Sequence, residues 1–132
     1  MEKIKNDATL KTPFILADPE DGQVELKGRS NPENSAEFYK PLIDWLDEYI
    51  TTDKNKITLV IDLEHFNTST SKCIMDVMKR VKKIHTADGA VKINWYYEED
   101  DEEMLEAAET YEAMTGMNID KISKPINETG LY

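Results

Sequence analysis

The spacing of apolar and polar positions along the chain changes several times, and each change predicts a new element. Short apolar runs bounded by turn residues predict five strands: Pro13–Asp18, Gln23–Lys27, Ile57–Leu63, Val91–Tyr97 and a short last one within Met117–Ile122. The first two flank an Asp-Gly pair and predict a β-hairpin that Gly28 ends. The third is apolar at nearly every position, which is typical of a central strand covered on both faces.

Three amphipathic helices are predicted between these strands. Ser30 and Glu33 have the spacing of a capping box at the start of the first helix, and Pro41 predicts a kink or a restart within it. The second helix is predicted to end near Asp88-Gly89, and the acidic run Glu98–Glu103 opens the third. The apolar positions that recur at helical spacing are Phe38, Leu42, Trp45, Leu46, Tyr49 and Ile50, then Ile74, Val77, Met78, Val81 and Ile84, then Met104, Leu105, Ala108 and Tyr111.

This order predicts an α/β fold. Strands that alternate with helices imply right-handed crossovers and a mostly parallel sheet, here led by an antiparallel hairpin. The expected architecture is therefore a mixed β-sheet flanked by three main helices. No repeat or low-complexity linker divides the sequence, so residues 1–132 are expected to form a single domain, with residues 1–11 and 125–132 loosely ordered.

Composition and charge narrow the class of partner. Acidic residues outnumber basic ones 27 to 16, giving a net charge of −11, which disfavours nucleic acid and membrane surfaces. No apolar run approaches the roughly 18 residues of a membrane-spanning helix, and residues 1–7 do not resemble a secretory signal. The single cysteine, Cys73, cannot form an internal disulfide. These features predict a cytoplasmic protein that binds other proteins.

The most unusual loop follows the predicted central strand, where function gathers in open α/β sheets. Phe66 and Asn67 lead into four consecutive hydroxyl residues, Thr68–Ser71. One such residue would be enough to cap the next helix. The spacing alone leaves a functional role and a capping role equally open.

Several stretches resemble one family along most of the chain. They are Gly28-Arg-Ser-Asn-Pro-Glu-Asn34, Glu37-Phe-Tyr-Lys-Pro-Leu42, Phe66-Asn-Thr-Ser69 with Lys72-Cys73, and Trp95-Tyr-Tyr-Glu-Glu-Asp-Asp-Glu-Glu-Met-Leu105. In this order they resemble the SiaC family of bacterial regulatory phosphoproteins, whose fold is similar to the STAS domain of anti-sigma-factor antagonists. Asn31 departs from the pattern, since many members have an aromatic residue there.

The resemblance implies a partner switch without catalytic residues, metal or cofactor. A dedicated Ser/Thr kinase would phosphorylate Thr68, and a PP2C-type phosphatase would reverse the reaction. The unphosphorylated form would bind and activate a GGDEF diguanylate cyclase and so promote cyclic-di-GMP signalling and biofilm formation. Partner contacts are expected from the phospho-loop, Phe66, Asn67, Ser69, Thr70, Ser71 and Lys72. Further partner-facing candidates are Arg29, Asn31, Glu33, Asn34, Tyr96 and Tyr97.

The alternative functions would require other targets or other arrangements of residues. An anti-sigma-factor antagonist would use the same switch with a different target. A response-regulator receiver would be phosphorylated on Asp62, with Asp18 and Asp21 as metal ligands. A small hydrolase would need a triad of Asp62, His65 and Thr68 or Ser69, but the chain lacks the Gly-x-Ser-x-Gly elbow.

Two further groups of residues have ordinary explanations. Cys73, His65 and His85 fit no zinc-binding spacing. The cluster Lys79, Arg80, Lys82 and Lys83 is expected to complement the carboxyl end of the second helix, with an acidic partner patch as the lesser alternative.

Overall fold

The strands and helices alternate as the sequence predicts, in a computed structural model that describes residues 1–126. The sheet contains one strand more than predicted. The elements in chain order are β1 (Ile4–Asn6), β2 (Phe14–Asp18), β3 (Gln23–Ser30), α1 (Ser35–Ile50), β4 (Lys56–Phe66), α2 (Thr68–Thr86), β5 (Ala90–Glu98), α3 (Glu102–Thr115) and β6 (Asp120–Lys124).

The six strands form one sheet in the order of the sequence. β1, β2 and β3 pair antiparallel, whereas β3, β4, β5 and β6 pair parallel. This confirms the mixed sheet with a leading hairpin. Each crossover adds the next strand on the same side, and crossovers of this kind are right-handed. The three helices therefore lie together on one face of the sheet.

Because the helices cover one face of the sheet, the prediction that the central strand β4 is covered on both faces is wrong. Its odd-numbered positions from Ile57 to Leu63 are buried, whereas the even-numbered positions from Thr58 to Glu64 are half-buried. The reason is that the helices supply a hydrophobic layer to one face, while within residues 1–126 only neighbouring side chains shield the other. The core lies between the helices and the first face.

β3 does not end at Gly28, as the sequence suggested, but continues to Ser30. Gly28 pairs with Leu63 and Arg29 pairs with His65, so β4 carries an extra residue at this point. The φ of Gly28 is +117°, which glycine tolerates and other residues rarely adopt. The bulge changes which face the following residues occupy. It places Phe66 on the helix side, where its ring meets that of Trp95 at 6.3 Å.

α1 begins four residues later than the predicted capping box. Asn34 is the cap, and its Oδ1 accepts a hydrogen bond from the backbone N–H of Glu37 at 3.1 Å. Ser30 is instead fully buried at the end of β3. The helix continues without a restart through Pro41.

The other boundaries differ from expectation by a few residues. Asp101 caps α3, so the first part of the acidic run belongs to β5 and a turn. Met117 and Ile119 are buried before β6 begins. All five apolar positions predicted for α2 are buried: Ile74, Val77, Met78, Val81 and Ile84.

Within the N-terminal segment that is expected to be loosely ordered, Ile4–Asn6 form a strand. This segment pairs with β2, and the indole Nε1 of Trp45 donates a hydrogen bond to the Glu2 carbonyl at 2.9 Å. A three-residue edge strand carries too little hydrophobic pattern to be recognised in the sequence. At the other end, residues 127–132 of the predicted loose tail lie outside the described residues.

Replacing Gly22 with alanine should destabilise the fold by close contact as well as by backbone strain. Its φ is +64°, and a Cβ there would lie 2.6 Å from the Tyr49 hydroxyl and 2.9 Å from the Lys56 carbonyl. Gly116 is the matched control, because its φ is +73° but its nearest neighbour would be 3.6 Å away. We expect losses in the free energy of unfolding of about 3 kcal/mol for Gly22→Ala and about 1 kcal/mol for Gly116→Ala in urea denaturation. Equal losses would contradict the steric argument.

Candidate functional site

The candidate site lies where β4 ends and α2 begins. Phe66 closes the strand, Asn67 is the N-cap, and Thr68 is the first residue of the helix. The Oδ1 of Asn67 accepts a hydrogen bond from the backbone N–H of Thr70 at 2.8 Å, and its carbonyl accepts one from Ser71 at 3.1 Å. Asn67 therefore does the capping, and Thr68 is released from that role.

Thr70 is fully buried in a cluster of hydroxyl groups. Its Oγ1 donates to the Ser30 carbonyl at 3.2 Å and lies 2.9 Å from the Ser30 Oγ and 3.3 Å from the Ser35 Oγ. The Tyr39 hydroxyl is 2.7 Å from the Ser30 Oγ. Burial raises the pKa of Tyr39 to about 12, although its hydrogen bond to Ser30 opposes the shift. Thr70 is thus part of the structure and is inaccessible to a modifying enzyme.

The other three hydroxyls of the loop differ in whether a structural hydrogen bond occupies them. The Ser69 Oγ donates to the Asn67 Oδ1 at 3.1 Å and lies 2.7 Å from the Ser35 Oγ. The Ser71 Oγ donates to the Thr68 carbonyl at 2.6 Å. Thr68 is exposed, and within residues 1–126 its hydroxyl makes no hydrogen bond. Of four adjacent hydroxyls, Thr68 has the one that no structural contact occupies.

The electrostatic surroundings of Thr68 favour an anion. A helix leaves its first N–H groups without partners inside the helix, and its dipole is positive at that end. Asn67 occupies the N–H groups of Thr70 and Ser71, which leaves those of Thr68 and Ser69. Lys72 follows one helical turn after Thr68, on the same side of α2. A phosphate on Thr68 can therefore be accommodated without unfolding the helix.

The segment that joins β3 to α1 lies directly against this loop. The Asn67 backbone N–H donates to the Ser30 carbonyl at 3.0 Å, and its Nδ2 donates to the Pro32 carbonyl at 3.4 Å. Glu33 and Asn34, two of the predicted partner-facing residues, are exposed in this segment. The surface around Thr68 therefore includes residues from two loops.

The remaining partner-facing candidates are more dispersed. The Arg29 guanidinium forms an ion pair with Glu64 at 2.7 Å, and the Asn31 N–H donates to the Lys11 carbonyl at 2.6 Å. Tyr97 packs against the core, whereas the strand alternation puts Tyr96 on the opposite face of the sheet. In the described part of the chain neither tyrosine hydroxyl bonds to the loop.

Two residues of the site escaped the sequence prediction. Ser35 and Tyr39 complete the hydroxyl cluster from the first turns of α1. The apolar stripe predicted for α1 includes neither residue, because a buried serine and a tyrosine with a bonded hydroxyl do not stand out in a hydrophobic pattern. Their side-by-side placement with Thr70 depends on the packing of α1 against α2.

The arrangements that the rival functions require do not form. Asp62 lies in the middle of β4 and pairs with Lys124 of β6. β3 separates it from Asp18, which ends β2. Over residues 1–126 no hydrogen bond joins Asp62, His65 and Thr68 into a triad. No three potential metal ligands converge in the same range, and none of its helices has the length and apolar character to cross a membrane.

Comparison with known proteins identifies the relatives of this fold and sequence. The family model for the SiaC family of regulatory phosphoproteins matches residues 6–124. An uncharacterized protein of Pseudomonas aeruginosa (strain UCBPP-PA14) is 30% identical over 111 residues, which cover 84% of this chain and 88% of the relative.

Two solved structures of Pseudomonas aeruginosa proteins are similar. The crystal structure of apo-SiaC matches with a TM-score of 0.81 and 27% identity over 94% of this chain and 99% of that one. A chain in the crystal structure of the diguanylate cyclase SiaD in complex with its activator SiaC matches with a TM-score of 0.86 and 26% identity over 92% and 99%.

The contrast between Thr70 and Thr68 can be tested by the same substitution at both positions. Thr70→Val keeps the shape of the side chain but removes the three hydrogen-bonding contacts that the Thr70 hydroxyl makes in the buried cluster, with the Ser30 carbonyl, the Ser30 Oγ and the Ser35 Oγ. We expect it to lower the free energy of unfolding by about 1–3 kcal/mol, whereas Thr68→Val should change it by less than about 0.5 kcal/mol. Urea denaturation measures both. A large loss at Thr68 would show that its hydroxyl has a structural partner.

Because of Tyr39, the free energy of unfolding should fall in alkaline solution. Its folded pKa is about 12, against about 10 when unfolded. The unfolded chain therefore loses a proton between pH 10 and 12 that the folded chain retains, so the stabilisation is complete below pH 10 and declines above it. Tyr39→Phe should reduce the decline by up to about 2 kcal/mol, measured by urea denaturation from pH 8 to 11.5. Unchanged pH dependence would contradict this role.

Proposed function

This chain belongs to the SiaC family of regulatory phosphoproteins, which is a regulatory and not an enzymatic family, and on that premise we propose that it is a partner switch controlled by phosphorylation of Thr68. A Ser/Thr kinase adds the phosphate and a PP2C-type phosphatase removes it. The unphosphorylated form binds and activates a diguanylate cyclase in the cytoplasm. Its output is cyclic-di-GMP, a signal for biofilm formation.

The state of the Thr68 hydroxyl carries the proposal. It is exposed and unbonded within the described residues, whereas Ser69, Thr70 and Ser71 each use their hydroxyl in a structural contact. A kinase that takes Thr68 needs no rearrangement of the loop. Modification of Thr70 would require the buried cluster to open.

The physical basis of the switch is a change of surface at constant fold. Phosphorylation adds about −1.5 to −2 charges and three acceptor oxygens at neutral pH. The helix N-terminus stabilises this group where it stands. A partner that must remove water from the same surface then faces a strongly hydrated anion, so the interface weakens while the domain remains folded.

The likeness to the activator in the SiaD complex supports the choice of a cyclase as the partner. In that complex SiaC is the activator of SiaD. The structural match covers 92% of this chain and 99% of that one, which supports a similar mode of partner binding. Conversion of GTP to cyclic-di-GMP gives the proposal a direct readout.

Thr68→Ala should abolish phosphorylation and preserve activation of the cyclase. In protein purified from its native cells, mass spectrometry should find phosphate on Thr68, and Thr68→Ala should lack it. Each diguanylate cyclase encoded in the same genome is then assayed for GTP conversion with the wild-type chain, Thr68→Ala and Thr68→Glu. Unphosphorylated wild type and Thr68→Ala should activate one cyclase equally, and Thr68→Glu should weaken its binding by about tenfold.

Thr86→Ala is the control, since this variant removes an exposed hydroxyl at the opposite end of α2 and should leave both phosphorylation and activation unchanged. Phosphate found mainly on Ser69 or Ser71 would refute the assignment of Thr68. Failure of every cyclase to respond to unphosphorylated protein would refute the choice of partner and leave an anti-sigma-factor type of target as the alternative.

A further inference from the structure

An apolar groove runs between α2 and α3 and begins beside the phospho-loop. Its volume is about 510 Å³. Met75 of α2 faces Ala107, Tyr111 and Met114 of α3, and Phe66 lies at the end of the groove nearest the loop. Met114 is 65% exposed, so it offers apolar surface along the α3 side of the groove. We name this feature the α2–α3 groove.

The shape of the α2–α3 groove suits a helix. Its lining positions on α2 recur at Lys72, Met75 and Lys79, and those on α3 recur at Ala107, Tyr111 and Met114. These spacings of three and four residues form a stripe along each helix, about 12 Å long on α2. A third helix laid between the two stripes would bury its own apolar side at matching spacing.

Charge defines which side of that helix faces α2. Lys72 and Lys79 line the α2 wall, and neither has a carboxylate partner among residues 1–126. Asp76, which lies between them, is 3.8 Å from Arg80 and is thereby partly neutralised. The positive charge of the two lysines is opposite in sign to the chain's net charge of −11. They provide complementarity to acidic side chains.

We propose that the α2–α3 groove binds an amphipathic helix of the regulated partner protein, with acidic residues along the edge that faces Lys72 and Lys79. The inference rests on the proposed function, because the partner is the protein that the switch controls. It also explains how a phosphate on Thr68 would weaken binding of the partner electrostatically. Thr68 precedes Lys72 by one helical turn, so a phosphate on Thr68 competes with the acidic partner residues for the Lys72 ammonium.

Synthetic helices test the groove independently of any natural partner. The probes are two stapled helices of about 18 residues with the same leucine stripe, one with glutamates and one with lysines along the same edge. Trp95 is the reporter, since its ring lies 6.3 Å from Phe66 and 5.7 Å from Tyr111. The substitution Trp45→Phe leaves Trp95 as the single indole of the chain's two tryptophans. The glutamate helix should bind at least about tenfold more tightly than the lysine helix.

Charge reversal supplies the matched controls. Lys72→Glu combined with Lys79→Glu should reverse the preference between the two probes. Lys92→Glu makes the same change on an exposed residue of β5, outside the groove, and should not alter it. Equal affinities for the two probes, no binding of either, or an equal effect of Lys92→Glu would overturn the proposal.

The cyclase assay separates this inference from the proposed function. Met114→Asp and the double lysine reversal should each weaken activation by at least about tenfold, whereas Lys92→Glu should not. A cyclase that responds equally to all these variants would overturn the groove and leave the proposed function standing. Retained probe preference without any responsive cyclase would refute the proposed function and leave the groove.

Two further measurements complete the test. If Lys72 transmits the effect of charge at Thr68, Thr68→Glu should weaken binding of the glutamate helix less in Lys72→Met protein than in wild type. Additive effects would refute this route.

Sedimentation equilibrium examines a second copy of the chain as the occupant, and a dimer that Met114→Asp dissociates would overturn the proposal.

Discussion

The buried hydroxyl of Thr70 joins three segments of the chain at the start of α2. It bonds to the end of β3 through Ser30 and lies within reach of the first turn of α1 through Ser35. Tyr39 extends the cluster into the core. Because an unmet hydrogen bond in such a place costs about 1–3 kcal/mol, the three segments have little freedom to separate. Together with the bonds of Asn67 to the Ser30 and Pro32 carbonyls, this junction anchors the loop.

The junction explains how one loop can serve both stability and signalling. Asn67 and Thr70 hold the backbone, so Thr68 between them has a fixed position without a structural duty of its own. A modification of Thr68 can therefore change the charge of the surface while the cap and the buried cluster remain intact. Loops that carry function on a rigid scaffold commonly divide these tasks among neighbouring residues.

Because all three helices lie on one face of the sheet, the surface around Thr68 continues beyond the loop. Since the strands follow each other in the sheet, α2 and α3 become neighbours on the same face, and the space between them opens beside the phospho-loop. The bulge in β4 contributes as well, because it turns Phe66 toward the helices at this point. A charge on Thr68 and the apolar groove thus belong to one continuous surface.

The elements and their types were determined by local sequence. The period of apolar residues located the three helices and five of the six strands, and their order implied the mixed sheet. The family resemblance pointed to Thr68. Elements with weak local signals escaped: β1 is three residues long, and the capping pattern at Ser30 competed with an equally good one at Asn34.

Tertiary structure decided which hydroxyls of Thr68–Ser71 are held by the buried cluster. Four adjacent hydroxyl residues are locally equivalent, because each can cap a helix or accept a phosphate. Ser71 bonds locally to the Thr68 carbonyl, but the hydroxyls of Thr70 and Ser69 meet partners far away in the sequence, Ser30, 40 residues before Thr70, and Ser35, 34 residues before Ser69. No local pattern records such contacts. They exist because the sheet and the α1–α2 packing bring these distant segments into hydrogen-bonding distance.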